Sequence, residues 1–492
     1  MARHYYQALF ISLLCSLFSF VLAEHSFENT AIVRTVELAG SLVHVRTTFA
    51  TKALETGAMI YAFALGKEDG ERTSFLEARL KGEQETLEIQ QFGLDKQSNV
   101  YLYAVVLPKG LKKNESVTVE LETVQTHATY PWPASIAQSE EMSLMYETDL
   151  FVLSPYATNV QRTKVRASSP KINSYTEPKN VEAFTLDAPV TKSGATITYG
   201  PYNNISPSTN AAFMNDTQQR ITVHYKHDLP VLEITEMKRA AEVSHWGANI
   251  NIQDDIWLHN AGPELKGHFS RLDHQRQSFT NQPAGHVMRA VNLFLPPGIR
   301  NVYYTDIVGN VSTSRLRETP SVPKGTRPKQ TSMLELRPRY PLMGGWNYSF
   351  TLGFDAPLQD WEAYDSRDGR HIVSVPILTQ FPDTVVDEAE IKIILPEGAT
   401  DVEVYPPFSP LSIKKSIHKT YLDSKGRPAV SFFYKNLTDR HAGFIYVAYK
   451  VPFIEHLRKP VTVAAVFFGL FVVSSAVRRV DSNLRRNGDK KQ

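Results

Sequence analysis

Apolar and polar residues alternate in short runs along most of this chain. The alternation is clearest at residues 41–49, 117–121, 220–225 and 429–434, and a more continuous apolar and aromatic run covers residues 443–449. Because side chains of a β-strand point alternately to two faces, this period predicts strands. The runs are rich in β-branched and aromatic residues and are bounded by Pro, Gly, Asn and Asp, which favours the same prediction.

Helical periodicity is scarce in the body of the chain, and its best candidate is residues 74–94. Three apolar runs instead end in a Pro and a Gly, at residues 105–110, 293–298 and 393–398. Pro has no N–H to donate to a sheet, and Gly allows a tight turn. We therefore expect strand ends at the edge of a β-sandwich at these three places.

One uncharged apolar stretch, at residues 460–477, predicts a transmembrane helix. Its eighteen residues would extend over roughly 27 Å, enough for a thin bilayer such as that of the endoplasmic reticulum. Arg458 and Lys459 precede the stretch, and Arg478 and Arg479 follow it. A buried core helix is the alternative, but such a helix is rarely apolar all round with charges at both ends.

Small side chains form part of the surface of this stretch. Ala465 and Gly469 lie four residues apart and therefore share one face of a helix. Small residues let two helix backbones approach closely inside a bilayer. We expect this face to pack against another membrane helix.

The other terminus has the features of a secretory signal peptide at residues 1–23. A basic start is followed by an apolar run, and small residues precede the expected cleavage after Ala23. The mature chain is then expected to be a single-pass type I membrane protein with its bulk in the lumen. The tail at 478–492 holds an excess of Lys and Arg over Asp, which predicts a short basic cytosolic tail.

Chain length and loop composition predict the domain organisation. Roughly 435 residues lie between the expected cleavage and the membrane, too many for one core. The prediction is a mainly β protein with two lumenal β-sandwich-like domains, at 24–228 and 229–455, followed by the single C-terminal transmembrane helix. Residues 318–330 are rich in Pro and Lys and predict a loop or linker within the second domain.

Composition narrows the class of function. The formal net charge of +2 gives no basic field that would suggest nucleic-acid binding. The only cysteine, Cys15, lies in the predicted signal peptide, so the mature chain has no thiol for catalysis, metal binding or redox exchange. Asn-x-Ser/Thr sequons fit a glycosylated lumenal body, and the predicted modification sites are Asn114, Asn204, Asn215, Asn310, Asn347 and Asn436.

Motifs for catalysis are missing or weak. The sequence has no His-Glu-x-x-His, no Gly-x-Ser-x-Gly and no phosphate-binding loop. His224 and His227 belong to a predicted strand, where a spacing of three directs side chains to opposite faces, so a zinc site is not expected there. Ser244 and His245 are adjacent, which is not the geometry of a nucleophile and its base.

Carboxylates are plentiful but unfocused. Asp254 and Asp255 are adjacent and are expected in a solvated loop. A glycosidase pair could still be assembled from carboxylates that are distant in the sequence. The motifs therefore predict no catalytic residue, no cofactor-binding residue and no metal ligand, and an independent lumenal glycosidase or peptidase stays open as the alternative.

Two aromatic segments could anchor a turn to a core or dock a partner subunit. The first is Tyr-Pro-Trp-Pro at 130–133, which is stiff. The second is Pro-Leu-Met-Gly-Gly-Trp at 341–346, whose two Gly allow a close approach of the backbone. Anchoring is the more ordinary interpretation, and docking would use the buried aromatic rings.

Longer segments in the second part of the chain resemble one protein family. In chain order they are Tyr-Gly-Pro-Tyr at 199–202, Glu-Val-Ser-His-Trp-Gly at 242–247, Leu-Lys-Gly-His-Phe-Ser-Arg at 265–271, Val-Tyr-Tyr-Thr-Asp-Ile-Val-Gly-Asn-Val-Ser-Thr-Ser at 302–314, Glu-Leu-Arg-Pro-Arg-Tyr-Pro-Leu-Met-Gly-Gly-Trp at 335–346, Lys-Ile-Ile-Leu-Pro-Glu-Gly-Ala at 392–399 and Tyr-Leu-Asp-Ser-Lys-Gly-Arg-Pro at 421–428. With these segments the chain resembles the ribophorin I family, the first subunit of the eukaryotic oligosaccharyltransferase complex. The short tail resembles fungal members rather than animal members with a longer cytosolic domain, so a ribosome contact is not implied.

The resemblance implies a function carried out by a complex. That complex transfers a preassembled glycan from dolichyl diphosphate to Asn of Asn-x-Ser/Thr in nascent polypeptides, in the lumen of the endoplasmic reticulum. In this family a different, polytopic subunit with a Trp-Trp-Asp-Tyr-Gly motif is catalytic, and no two Trp are adjacent in the present chain. The resemblance thus implies a non-catalytic accessory subunit without cofactors, which supports complex assembly, stability and the handling of acceptor polypeptide.

The implied partners follow from that role. They are the other oligosaccharyltransferase subunits, including the polytopic catalytic one, nascent polypeptides and the translocon, with no nucleic acid. A cargo-sorting receptor is a further alternative for a type I membrane protein of the endoplasmic reticulum. It would predict a coat signal in the tail, and Lys490 and Lys491 lie one place off the usual dilysine spacing.

Overall fold

The computed structural model describes residues 26–279, 284–321, 330–421 and 423–488. Strands account for 53% and helices for 12% of the structure, which confirms the mainly β prediction. The predicted signal peptide lies outside the described residues, as do residues 322–329 of the expected linker and 489–492 of the expected tail.

The first half of the chain forms three sheets. Its strands are β1 (Phe27–Leu38), β2 (Leu42–Ala53), β3 (Ala58–Gly66), β4 (Thr73–Leu80), β5 (Ile89–Asp95), β6 (Val100–Leu111), β7 (Ser116–Thr126), β8 (Thr129–Pro131), β9 (Ser135–Ile136), β10 (Ser143–Asp149), β11 (Thr158–Arg166), β12 (Ile172–Tyr175), β13 (Val190–Ser193), β14 (Thr196–Ile205) and β15 (Arg220–Lys226). A seven-stranded sheet has the order β13-β14-β11-β1-β2-β7-β4, in which β1 and β11 are parallel. A four-stranded sheet, β12-β15-β10-β8, and a three-stranded sheet, β3-β6-β5, pack on it.

The second half repeats this arrangement. Its strands are β16 (Leu232–Ser244), β17 (Asn249–Asn260), β18 (Glu264–Leu265), β19 (Val291–Leu295), β20 (Arg300–Asp306), β21 (Gly309–Asn310), β22 (Arg315–Arg317), β23 (Ser332–Leu336), β24 (Asn347–Pro357), β25 (Glu362–Asp365), β26 (Arg370–Pro376), β27 (Val385–Ile394), β28 (Thr400–Tyr405), β29 (Ser412–His418), β30 (Arg427–Leu437) and β31 (Phe444–Lys450). The large sheet has the order β21-β20-β24-β17-β16-β27-β30-β29, and the smaller sheets are β28-β31-β26-β25 and β19-β23-β22. β16 and β27 are parallel, as β1 and β11 are.

The strands of the two halves correspond in both chain order and sheet order, apart from the edge strand β21 and the pair β9-β18, which joins the two halves. The hairpin β1-β2 matches β16-β17, the parallel partner β11 matches β27, and β10 and β15 match β26 and β31. The match extends to residues, since Ile221, Val223 and Tyr225 of β15 align with Ile445, Val447 and Tyr449 of β31, and all six are buried. The predicted boundary at 228/229 falls between β15 and β16, and the repeated strand order favours the two-domain division without testing its limits.

Helices in the described part of the chain are few and, with one exception, short. They are α1 (Lys67–Arg72), α2 (Ala211–Asp216), α3 (Arg271–Phe279), α4 (Leu358–Trp361) and α5 (Phe453–Gly488), and a 3-10 turn covers Asp439–His441. The predicted helix at 74–94 is wrong, because that segment forms β4 and β5 instead. β4 pairs with β7 at the edge of the seven-stranded sheet, and this pairing overrides the helix-forming composition of the segment.

Two of the three Pro-Gly turns end a strand as predicted. β19 ends at Leu295, immediately before its Pro, and β27 ends at Ile394, two residues before Pro396. At 105–110 the prediction is wrong, since β6 continues through Pro108 to Leu111. β6 shifts register against β3 between Ala58 and Ile60, and this irregularity accommodates the Pro.

Contacts between the two halves are polar as well as apolar. The Ser41 hydroxyl donates to the backbone oxygen of Asp383 (2.8 Å) and accepts from the backbone N–H of Val385. Beyond β7, the His127 imidazole lies between the carboxylates of Glu233 and Asp387, at 3.0 and 2.8 Å. These contacts fix β16 and β27, the central strands of the second half, against the first half.

His127 makes the stability of this seam depend on pH. Hydrogen bonds to Asp387 and then Glu233 raise the pKa of His127 to about 10. A raised pKa in the folded state contributes stability that is fully present below the unfolded value of about 6.5 and is lost as the pH rises through about 10. We expect His127→Gln to lower the thermal unfolding midpoint at pH 6, and the difference from the unsubstituted chain to disappear near pH 10. The effect will be modest, because the side chain is partly exposed and screened by solvent.

His259→Gln is the matched control for His127→Gln. Its ring is also exposed and binds the Asn347 side chain (2.7 Å), but within the second half of the chain. An equal, pH-independent loss in both variants would contradict the ion-pair role of His127.

Candidate functional site

The long C-terminal helix α5 begins in contact with the strand-rich body. Nζ of Lys459 lies 3.2 Å from Glu397 and 3.1 Å from Asp423, and Lys425 pairs with Glu455 at 2.8 Å. We call these five residues the helix clamp. Because three of them come from the loops after β27 and before β30, the clamp fixes the first turns of α5 to the large sheet.

Backbone N–H groups of the loop at 420–425 hold the carboxylates of Glu397 and Asp423 in position. Glu397 accepts the backbone N–H groups of Ser424 and Lys425, each at 2.8 Å, and Asp423 accepts that of Thr420 at 3.1 Å. Burial would raise the pKa of each carboxyl. Hydrogen bonds from the N–H of Lys425 and the Ser424 hydroxyl instead lower the pKa of Glu397 to about 2. Hydrogen bonds from Thr420 and Lys459 lower the pKa of Asp423 to about 2. Both are therefore carboxylates at neutral pH.

The loop after β27 requires a glycine at position 398. Its φ is +81°, a conformation that favours Gly, and a Cβ there would lie 2.5 Å from Cγ of Glu455. Segments 392–399 and 421–428, two of those that resemble the ribophorin I family, thus meet at the start of the membrane helix. Sequence reasoning found both segments but not their contact.

The helix is longer than the predicted span of 460–477. It begins at Phe453, and an 18-residue window within Phe453–Arg479 has a mean hydropathy of 2.1 and is not covered by the rest of the described chain. Pro460 was expected at the helix start but lies inside it, because the clamp stabilises the polar turn before it. Ala465 and Gly469 are exposed, and a Cβ at Gly469 would meet no atom within 4 Å, so no part of the described chain covers this face.

A second group of polar side chains lies beside the first turn of α5. His245 follows β16, and Tyr449 of β31 lies opposite His371 of β26. Glu362 of β25 is diagonal to His371, because Glu362 pairs with Val373 and His371 pairs with Tyr364. Nε2 of His245 and Nδ1 of His371 each lie 3.0 Å from Oε1 of Glu362, and the three donor atoms lie within 4.8 Å of one another. The His456 ring of α5 stacks on His245 at 5.5 Å. We call these five residues the histidine cluster.

Hydrogen bonds and burial set the charges in the histidine cluster. Tyr449 Oη lies 2.8 Å from Nε2 of His245 and 3.0 Å from Oε1 of Glu362. Burial would raise the pKa of Glu362, but hydrogen bonds from His245 and Tyr449 lower it on balance. Burial lowers the pKa of His371. The cluster therefore presents a carboxylate and a neutral His371 imidazole at neutral pH.

Sequence reasoning missed this cluster. His245 was considered only with Ser244, whose hydroxyl instead accepts the backbone N–H of Gly247 at 3.0 Å. The Asp-Gly turn at 368–369 predicts a hairpin that would have brought Glu362 and His371 together. The contribution of His245 depends on the sheet order and has no local signal.

A groove of about 630 Å³ opens on the far face of the small sheet that carries β31. Exposed Phe294, Phe444 and Tyr446 line it together with Trp361, and the buried Arg239 lies at its base. Eight of the nineteen lining residues are aromatic or proline, so the groove can accept an apolar, extended segment of chain.

Asp254 was expected in a solvated loop, and this is wrong. It lies on β17, fully buried, and binds Arg239 in a bidentate pair with both distances at 2.6 Å. Strand periodicity places every second residue of β17, including Asp254, in the core. The buried Arg239 cation is stable there only with an anionic partner, which the Asp254 carboxylate provides.

His224 and His227 do not meet, as predicted. Nε2 of His224 contacts the backbone oxygen of Trp132 (3.1 Å), whereas His227 is buried and contacts the Ser168 hydroxyl (2.9 Å). Trp132 itself is half exposed.

In the segment 341–346, Leu342 and Met343 are fully buried, which favours the core-anchor interpretation of that segment.

The sequon asparagines are all exposed. The six exposed residues are Asn114, Asn204, Asn215, Asn310, Asn347 and Asn436. Asn114, Asn204 and Asn436 have a positive φ, at strand ends or turns. Exposure is what an oligosaccharide requires, but it does not test whether any of these residues carries one.

Comparison with known proteins gives one consistent result. A family model described as Ribophorin I matches residues 27–478. Dolichyl-diphosphooligosaccharide--protein glycosyltransferase subunit 1B of Oryza sativa subsp. japonica is 34% identical over 389 residues, which are 78% of this chain and 75% of that protein. Subunit 1 of Caenorhabditis elegans is 30% identical over 465 residues, 94% of this chain and 74% of that protein.

Some solved structures resemble part of the chain. Leukotriene A4 hydrolase from Saccharomyces cerevisiae matches 41% of this chain and 29% of its own length, with 9% identity and a TM-score of 0.25. No inference about fold or activity follows from a likeness of that size.

Proposed function

The chain belongs to the ribophorin I family, and on that premise we propose that it acts as a non-catalytic accessory subunit of the oligosaccharyltransferase complex. The observation that carries the proposal is the match along residues 27–478 to a family whose relatives are named as subunit 1 of the dolichyl-diphosphooligosaccharide–protein glycosyltransferase. The complex transfers a preassembled glycan from dolichyl diphosphate to Asn of Asn-x-Ser/Thr sequons. The glycosidase, peptidase and cargo-receptor alternatives are not favoured.

The catalytic step is assigned to a different, polytopic subunit. A lipid-linked donor needs a pocket inside the bilayer, and the described residues contain a single candidate membrane helix. The strand-rich body and the clamped helix instead suit a subunit that stands beside the reaction. We propose that it stabilises the complex and holds its lumenal parts in a fixed relation to the membrane.

The location we propose is the endoplasmic reticulum membrane, with a cleaved signal peptide at 1–23 and the strand-rich body in the lumen. The exposure of all six sequon asparagines supports a glycosylated lumenal body. The translocon is a further partner, because acceptor polypeptides arrive from it.

Nascent polypeptide is the proposed transient ligand of the second half. The apolar groove beside β31 has the aromatic and proline lining that suits an extended chain. β29 offers a second mode, since it is an edge strand of the large sheet and is exposed along nearly its whole length. An edge strand can bind an extended peptide through backbone hydrogen bonds.

Purification of the full-length chain through a C-terminal tag in a mild detergent tests the assembly claim. We expect the polytopic catalytic subunit to co-purify in about equal amount. A chain that elutes as a monomer, with no polytopic partner, would contradict the proposal.

The same assay tests the packing face of the membrane helix. Gly469→Leu adds a bulky side chain to the uncovered face shared with Ala465, which should weaken association by about fivefold. Phe467→Leu is the matched control, because residue 467 lies on nearly the opposite side of the helix. Equal recovery of partner subunits with both variants would exclude this face as an assembly surface.

A further inference from the structure

We propose that His245, Glu362 and His371 bind a zinc ion beside the start of the membrane helix. The three donor atoms already lie within 4.8 Å of one another, and two of the three distances are 3.0 Å. Tetrahedral zinc with bonds of about 2.0–2.1 Å holds its ligands roughly 3.3 Å apart. The side chains therefore need only small movements to admit the ion.

The donor set matches zinc in chemistry as well as in spacing. Two imidazole nitrogens and one carboxylate oxygen are a common zinc set that leaves a fourth position open, which water would take here. Nδ1 of His371 is buried and makes no hydrogen bond, although it lies 3.0 Å from Oε1 of Glu362. This nitrogen therefore lies beside the carboxylate without a well-aligned hydrogen bond to it, where a cation between the two groups would bind both.

Neighbouring residues hold the ligands in place. Glu362 and His371 belong to paired strands, and the Tyr364 ring contacts His371 at 4.8 Å. The Tyr449 hydroxyl donates to Glu362 at 3.0 Å and would keep doing so after zinc replaces the contact between His245 and Glu362. Such supporting hydrogen bonds orient a ligand and raise metal affinity.

The repeated architecture shows that the fold itself does not require these polar groups. Tyr225 of the first half corresponds to Tyr449, and the residue paired with it is Leu144, where the second half has His371. Both copies bury their tyrosine. The Tyr225 ring contacts one imidazole, that of His227 at 6.3 Å, whereas the Tyr449 ring contacts two, those of His245 at 5.8 Å and His371 at 5.6 Å. The His456 ring of α5 stacks on His245, so an ion bound there would stiffen the junction of body and membrane helix.

Zinc binding by the full-length chain, purified in mild detergent, tests the proposal. After equilibration with zinc chloride and removal of unbound ion, elemental analysis should find about one zinc per chain. His245→Gln and His371→Gln should each abolish this zinc, and Tyr449→Phe should lower the affinity by about 10-fold to 100-fold. Zinc should raise the thermal unfolding midpoint of the unsubstituted chain and not that of the two His variants.

His259→Gln is the matched control, because its exposed ring lies outside the cluster. It should retain the zinc. Absence of zinc from the unsubstituted chain, or equal zinc in the chain with and without His245 and His371, would overturn the proposal. A folded His variant is recognised by an unchanged unfolding midpoint in the absence of zinc, and Tyr449→Phe gives a second reading that removes no ligand.

Discussion

Replacing Arg239 by methionine is expected to lower the free energy of unfolding by about 3–5 kcal/mol. Arg239 is almost fully buried, and it also donates to the backbone oxygen of Pro376 (2.7 Å) and to the Thr379 hydroxyl (2.5 Å). Its removal leaves Asp254, which is fully buried, without its cationic partner. Denaturant unfolding of the full-length chain in detergent measures the change.

A double variant separates the loss of the pair from the loss of packing. Arg239→Met combined with Asp254→Leu removes both charges, so most of the stability should return. Lys435→Met is the control, since its ion pair with Glu388 is exposed and should matter little. A double variant as unstable as Arg239→Met alone would contradict the unpaired-charge explanation.

Gly344→Ala is the second substitution with a large expected effect, a loss of roughly 3 kcal/mol. A Cβ at Gly344 would lie 2.8 Å from the carbonyl carbon of Pro263 and closer still to its oxygen. Both atoms are backbone and cannot rotate away, and the adjoining Leu342 and Met343 are fully buried. The unfolding midpoint of the full-length chain measures the cost.

Gly40→Ala is the matched control for Gly344→Ala. Its added Cβ would make only ordinary contacts, the nearest at 3.7 Å, and its backbone needs no positive φ. We expect Gly40→Ala to be close to neutral. Equal losses in the two variants would show that close backbone approach is not what requires Gly344.

The strand pattern was predictable because it is local. Alternation at 220–225 and 429–434 corresponds to β15 and β30, and the two-Gly segment at 341–346 makes the close approach that its composition suggested. The helix prediction for residues 74–94 was wrong because the strands there depend on pairing with β7 and β6, which lie elsewhere in the sequence. The prediction that Asp254 lies in a solvated loop was wrong for a related reason, since its partner Arg239 lies across a hairpin.

The membrane helix was found from composition alone, but its beginning was not. Lys459 and Glu455 lie in turns that sequence assigns to no element, and their partners come from loops at 397 and 423–425. The histidine cluster likewise joins residues more than a hundred positions apart. Contacts of this kind depend on sheet order, which one sequence does not encode in any local pattern.

Site occupancy of other glycoproteins, measured by gel shift after depletion of this chain from cells, tests the central claim most directly. If the chain is an accessory subunit of the oligosaccharyltransferase, its loss destabilises the complex, and secretory glycoproteins should migrate faster because sequons are left unmodified. Restoring the unsubstituted chain should restore their migration. Full occupancy of every sequon in cells that lack the chain would contradict the account.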